Sequence, residues 1–549
     1  MKKSGAILLL LFSISVNAQT KSDTVVAVQQ WAKWYDLDFT NAEADSMLNN
    51  LVSWKRIYVR MHQRLPKNDL ANPFAFHPEP PGYKIPMNQQ KINWALPSNV
   101  VLPQNKNDLA FYSILQLASL IKNKKISSVE LTKFFIDRLK KWGDTLESVI
   151  TLTEDLAMKE AKQADDELKK GIYRGPLHGI PYGLKDLFAV KNYKTTWGST
   201  PYMDQVIDED AFVYTKLKEA GAVLCAKLSL GALAYNNKWF RGETKNPWNL
   251  QQGSSGSSAG SAASVVAGLL PFTIGTETLG SIVSPSTRCG ATGLRPTFGT
   301  VSRSGAMVLC WSLDKAGPIC RSAEDDAIVY YYIKGTDGKD VSAVDHAFNY
   351  NQKADIKKLR VAYIENYFNR LSKDALEWKV LDDFKNMGVN VQAVQFADSL
   401  IYPANLISII LNAESGAAFD ELTRTNRDDL VERQDKDFWP NSFRSSRMIP
   451  AVEYINANRY RSELCQKMNE FMRNYDVVIT PTFMGSQLAI TNLTGHPVVC
   501  MPMGFNQRGV PLSITLIGNL YDEASILAAA KAYQDKTGHH KKHPEKFLQ

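Results

Sequence analysis

The chain has 549 residues, 44% hydrophobic and 22% charged, with a formal net charge of +8. This composition excludes a disordered or fibrous protein and allows a core that needs no disulfide or metal staple to fold. The charge is mild for the length and no Lys/Arg run exceeds three residues, so no nucleic-acid partner is expected.

Met1-Lys2-Lys3 is a short basic start, Ile7 to Phe12 is apolar, and Val16-Asn17-Ala18 places small residues just before Gln19. This layout predicts a signal peptide over 1–18 and an exported, periplasmic or secreted chain. Its removal takes away two lysines and leaves a net charge of +6. The apolar run is too short for a bilayer, which takes about 20 residues, and no later window reaches that length, so no membrane span is expected.

Residues 19–105 read as an N-terminal helical extension and linker. The helical part carries Trp31, Trp34, Tyr35, Trp54 and Tyr58. Pro73, Pro78, Pro80, Pro81 and Pro86 then make an extended stretch. The extension is expected to pack on a larger body over 106–549. In that body Ser127-Ser128-Val129-Glu130 is a capping box opening a helix with Leu131, Phe135 and Leu139 on one stripe. Val149 to Leu152 is a strand candidate, and the next helix ends at Gly171. Ala222–Leu224, Leu359–Tyr363, Val389–Val394, Val477–Thr480 and Leu512–Ile517 are further strands. Residues 261–270 are small and apolar, as in a close-packed helix. The alternation predicts an α/β fold with a large mixed, mostly parallel twisted sheet flanked by helices. Residues 400–470 are helical and aromatic and interrupt that alternation, as a lid or pocket-forming insert does.

Cys225, Cys289, Cys310, Cys320, Cys465 and Cys500 contain no CxxC, and no His lies at ligand spacing from them. They are expected to be small buried hydrophobes, with no metal and no cofactor. Whether Cys310 pairs with Cys320 is open.

Three segments carry the chemistry: Gly175 to Asp186, Gly256 to Ser261, and Gly275 to Ile282 running on through Leu294-Arg295-Pro296-Thr297. A flexible Gly/Ser linker does not fit the second, because the apolar run Ala262 to Leu270 follows it directly. A phosphate loop fails for want of Gly-Lys-Ser/Thr or GxGxxG. Gly256-Ser257-Ser258-Ala259-Gly260 matches a GxSxG nucleophile elbow with His496 downstream. The lead-in through Asn246-Pro247 is polar, however, where an elbow needs a hydrophobic strand.

In order and separation these segments resemble the amidase signature family. Ser281 lies 24 residues after Ser257, and Ser257 lies 72 after Lys185. Asn492-Leu493-Thr494-Gly495-His496-Pro497 and Gly509 to Gly518 look like the family's C-terminal part. The resemblance covers roughly 108–545. It implies that Ser281 is the nucleophile, that Ser257 is the bridging Ser after a cis Gly256–Ser257 bond, and that Lys185 is the general base. It also implies an oxyanion hole from the backbone N–H groups of Thr278, Leu279, Gly280 and Ser281. Three positions depart from the family: Leu279-Gly280 stands for two glycines, Val283 for a frequent Arg, and Ala259 for the first Gly of the Ser-Ser-Gly-Gly block.

The chemistry constrains the surroundings. A Ser hydroxyl needs a base to become a nucleophile. Lys serves as that base only when neutral, against an ordinary pKa of about 10.4, and desolvation favours the neutral form. Lys185 is therefore expected in an apolar setting, with the Asp186 carboxylate turned elsewhere.

The expected activity is that of an exported amidase, hydrolysing a small-molecule or peptide carboxamide to an acid and ammonia or an amine. The alternatives are an amidotransferase A-type subunit making Gln-tRNA or Asn-tRNA, and a catalytically silent binding protein on the same scaffold. Pocket residues are expected from 190–240 and 400–470. Trp197, Trp239, Phe438 and Trp439 are candidates for an apolar acyl pocket or for core packing. The sequence sets no oligomeric state.

Overall fold

The computed structural model describes residues 21–63, 68 and 74–549. The signal-peptide expectation over 1–18 lies outside the described residues. The chain divides into two compact units, Met1–Lys67 and Asn68–Gln549. In the first, helices Lys21–Lys33 and Asn41–His62 bury Val28, Ala32 and Ala44 and leave Trp31, Trp34 and Trp54 exposed.

The second unit is built on an eleven-stranded sheet. Its strands are β1 (Val149–Leu152), β2 (Pro181–Lys185), β3 (Val223–Leu228), β4 (Phe272–Glu277), β5 (Thr292–Arg295) and β6 (Lys315–Cys320). They continue as β7 (Val361–Ile364), β8 (Val391–Val394), β9 (Val477–Pro481), β10 (Val498–Phe505) and β11 (Pro511–Gly518). The spatial order is β1-β3-β2-β4-β6-β5-β10-β11-β9-β7-β8. Every expected strand is present, and the sheet is mixed and flanked by helices. The expected parallel majority is corrected: four adjacent pairs are parallel and six antiparallel. The parallel ladders β3-β2-β4 and β9-β7-β8 flank an antiparallel middle. The reason is local, since β10 and β11 are joined directly by a tight turn at Asn506–Val510, and a hairpin forces antiparallel pairing.

The expected boundary at 105/106 also moves. Gln89 exchanges two hydrogen bonds with the Phe348 backbone, at 2.8 and 2.9 Å, and Tyr83 Oη donates to Leu520 O at 2.8 Å. The proline-rich stretch is thus an integral strap of the second unit. Other local readings hold. Ser127 Oγ accepts the Glu130 N–H at 3.1 Å, and the Glu130 carboxylate accepts the Ser127 N–H at 2.9 Å. Gly171 adopts φ +81° just past helix Glu154–Lys169, where a side chain would strain the left-handed turn. All six cysteines are free and buried, and Cys310 Sγ faces Glu414 Oε2 at 3.2 Å, not Cys320. Among the described residues no helix is long and apolar enough to cross a membrane.

Candidate active site

Lys185 ends β2, which is paired in parallel on both sides, with Leu184 opposite Ile274 of β4 and Lys185 opposite Leu228 of β3. A strand paired on both sides buries both faces, and Lys185 is 0% exposed. Its Nζ lies 2.7 Å from Ser257 Oγ, 2.8 Å from Thr276 Oγ1 and 3.1 Å from Ser258 Oγ. Burial lowers its pKa to about 7, against a smaller opposing pull from Asp314 and Glu277. The shift favours the neutral amine far more than in an ordinary Lys. Asp186 turns away, as expected. Its Oδ1 pairs with Lys227 Nζ at 2.8 Å, and its Oδ2 accepts the Thr196 N–H at 2.9 Å.

The Gly/Ser segment supplies the two hydroxyls that face the amine. The Gly256–Ser257 peptide bond is cis, and helix Ala259–Val266 starts directly after Ser258. A Cβ on Gly260 would lie 2.4 Å from Ser148 O and 2.7 Å from Ser229 N, so only Gly allows this close packing. Ser258 Oγ donates to Thr276 O and accepts the Thr276 N–H, both at 3.1 Å. Its proton is thus committed to the backbone. Ser257 Oγ accepts from Lys185 Nζ at 2.7 Å, a separation across which a neutral amine can take the hydroxyl proton. Ser258 is fully buried and His496 Nδ1 faces Thr494 Oγ1 at 2.9 Å, so the elbow reading has neither an open Ser nor an available His.

The third segment is the turn between β4 and helix Val283–Cys289. Positive φ falls on Gly280, at +85°, and not on Leu279, so the Leu substitution is compatible with the turn. Among the described residues, the backbone N–H groups of Thr278, Leu279, Gly280 and Ser281 make no backbone hydrogen bond outside the helices and strands. Ser281 sits on this turn, 9% exposed, and its carbonyl accepts the Ser258 N–H at 3.1 Å. That bond ties the second and third segments together. The Ser257 and Ser281 hydroxyls are not hydrogen-bonded to each other.

Residues outside the three expected roles hold the turn. Glu277 Oε2 accepts the N–H groups of Ile282 and Val283, both at 2.9 Å. Its Oε1 takes Arg295 Nη1 and Asn492 Nδ2, also at 2.9 Å. Burial pushes the Glu277 pKa up, but the charges of Arg295 and Lys315 and these hydrogen bonds outweigh it and hold the value down at about 2. Asp314 Oδ1 accepts the Thr278 hydroxyl at 2.6 Å, and its Oδ2 accepts the N–H groups of Leu309 and Cys310. The roles of Glu277, inside the third segment, and Asp314, outside all three, carry no local signal, because Arg295 and Asn492 lie 18 and 215 residues from Glu277 and Thr278 lies 36 from Asp314.

A cavity of about 160 Å³ opens beside Thr276 and Thr278. Its walls come mainly from Leu187-Phe188 and from 303–316. Of the two segments expected to supply pocket residues, 190–240 contributes Glu209 and Ala234 to this cavity, and no described residue of 400–470 lines it. Trp197, Trp239, Phe438 and Trp439 are core residues. The 400–470 helices act one layer back. Glu414 accepts the Ser312 N–H at 2.9 Å and its hydroxyl at 2.6 Å, and Arg461 Nη2 donates to Ser312 O at 2.7 Å. They brace the 303–316 wall without touching the cavity.

Residues 130–527 match the family described as Amidase. The chain belongs to this family, the amidase signature enzymes, which act on C–N bonds as hydrolases or amidotransferases. It is 31% identical over 482 residues to the A-type subunit of the glutamyl-tRNA(Gln) amidotransferase of Legionella pneumophila, covering 79% of this chain and 99% of that protein. The corresponding protein of Acinetobacter baumannii is 33% identical over 484 residues, with 79% and 98% covered. Among solved structures, the peptide amidase of Stenotrophomonas maltophilia superposes with a TM-score of 0.70 at 26% identity, covering 79% of this chain and 98% of that one.

Proposed function

We propose that this chain cleaves carboxamide C–N bonds through an acyl-enzyme on Ser281, with Ser257 relaying protons to neutral Lys185. The observation that carries the reading is the buried Lys185 Nζ, 2.7 Å from Ser257 Oγ, with its pKa lowered to about 7. In this mechanism the lone pair on Nζ takes the Ser257 proton as Ser257 takes that of Ser281. Ser281 Oγ then attacks the amide carbon. The carbonyl oxygen becomes an oxyanion against the N–H groups of Thr278 to Ser281, where losing one donor typically costs about 10²–10³ in rate. The proton returns through Ser257 to the leaving nitrogen, the C–N bond breaks, and ammonia or an amine departs. Water attacks the Ser281 ester by the same relay and releases the acid. The Ser257–Ser281 contact closes with substrate in place, as catalytic hydrogen bonds commonly do.

Ser281→Ala and Lys185→Ala should each abolish ammonia release from an amide panel while far-ultraviolet circular dichroism is unchanged. A fluorophosphonate should label Ser281 and spare Ser258. Full activity in either variant, or an adduct mapped to Ser258, removes the assignment.

Two fates of the nitrogen fit this chemistry. Transfer, as an amidotransferase A-type subunit with partner subunits and an aminoacyl-tRNA, is supported by the names of the curated relatives, and the comparisons favour it more directly. Free release by an exported amidase is supported by the layout of Met1 to Ala18. Cell fractionation with N-terminal sequencing separates them. A chain beginning at Gln19 outside the cytosol supports the free amidase. An intact cytosolic chain copurifying with other subunits supports transfer.

A further inference from the structure

We propose that the cavity lined by Thr276 and Thr278, next to the turn that carries Ser281, takes a neutral, apolar acyl group about the size of one phenyl ring, so that neutral aryl- or alkyl-carboxamides are preferred over charged amides such as glutamine. The inference rests on the acyl-transfer reading above and names its substrate class. The first argument is size. The cavity of about 160 Å³ is close to the volume of roughly 150 Å³ at which an apolar cavity holds one benzene. It opens beside Thr276, whose Oγ1 lies 2.8 Å from the Lys185 amine, and Thr278, which begins the turn that carries Ser281.

The second argument is the chemistry of the wall. Phe188, Met307, Leu309 and Trp311 give it an apolar surface, and an ionic group placed there needs a partner to offset its desolvation. The charged side chains in the wall are already engaged. Arg303 forks onto both Asp340 oxygens, at 2.7 and 2.8 Å, and caps Trp311 O at 2.6 Å. Asp314 accepts from the Thr278 hydroxyl and two backbone N–H groups. Lys315 Nζ donates to Asn492 Oδ1 at 2.7 Å. Of the remaining two, Lys339 is exposed and Glu209 half-buried, and they are opposite in sign. The unpaired buried side-chain polar atom of the wall is the Trp311 indole Nε1, a neutral donor suited to a neutral acceptor. A glutamine bound by this route would bring an ammonium and a carboxylate to a wall with no free buried counter-charge.

The test measures kcat/KM from ammonia release by the purified full chain on acetamide, hexanamide, phenylacetamide and glutamine. Burying a phenyl group favours phenylacetamide over acetamide by about 10- to 100-fold. At least a tenfold preference over glutamine is expected as well. Val308→Trp, which fills the cavity from a partly exposed wall position, should lower the phenylacetamide-to-acetamide ratio at least tenfold. Glutamine cleaved as well as phenylacetamide, or a ratio unmoved by Val308→Trp, overturns the inference and leaves the acyl-transfer reading standing. If no amide in the set is cleaved, fluorophosphonate labelling decides. A labelled Ser281 overturns the substrate class alone, and an unlabelled Ser281 removes the mechanism with it.

Discussion

At the residue scale the site depends on one amine. A neutral Lys185 accepts a proton, whereas a protonated one blocks the relay. With the pKa near 7, kcat/KM should fall about tenfold per pH unit below that value and level off above it. A His base is an inadequate explanation of such a limb, because burial drives the His496 pKa down to about 3. A pH–rate profile flat from 5 to 9 would falsify the base assignment. The same shift acts on stability with a definite sign. The unfolded chain binds this proton up to about pH 10.4, whereas the folded chain releases it near 7. Between those values the unfolded state holds more protons, so Lys185's contribution to stability rises with pH. The catalytic residue is thus a stability liability at neutral pH. Its position was readable from the flanking Ile180 and Leu184, since an apolar segment ending in Lys implies a desolvated amine. The commitment of the Ser258 proton to Thr276 O was not readable, because it comes from a strand 18 residues downstream.

At the element scale, the reactive turn owes its shape to Glu277. One carboxylate receives two N–H groups of the turn, Arg295 on β5, and Asn492 on helix Gln487–Leu493. Glu277→Gln should therefore destabilise the protein by about 3–5 kcal/mol in chemical denaturation, the usual cost of leaving one charge of a buried pair uncompensated, and lower kcat together with it. With its folded pKa held near 2, Glu277 contributes stability that is present above about pH 4.3, the ordinary Glu value, and lost as pH falls toward 2. A variant as stable as the parent would show that the turn is held by other contacts. Elements whose burial and pattern agree, such as the Ser127-capped helix and β9, were legible. Strand β6 was not, because Lys315-Ala316-Gly317-Pro318 reads as a turn. Gly317 is placed there by contact, since a Cβ would lie 2.2 Å from Leu294 O. Pro318 lies between two neighbouring strands where propensity disfavours it.

At the scale of the whole molecule, the compact unit Asn68–Gln549 contains the sheet, the three chemical segments and the strap 74–105. A chain beginning at Asn68 should fold cooperatively and retain amide cleavage within about twofold of the full chain. Urea unfolding monitored by tryptophan fluorescence, paired with ammonia release, checks both. A truncated chain that folds but loses activity would assign the first unit a part in catalysis.

The chemical identities of Lys185, Ser257 and Ser281, their separations, and the alternation of helix and strand follow from the linear chain, because they depend on residue type and local pattern. The direction of each ladder, the cavity walls from 303–316 and the bracing of the turn by Glu277, Asp314 and Glu414 were decided only in three dimensions. They are pairings between elements far apart in the chain, 215 residues for Asn492 and Glu277. Hydrophobic periodicity says which face of an element is buried, but not which neighbour buries it.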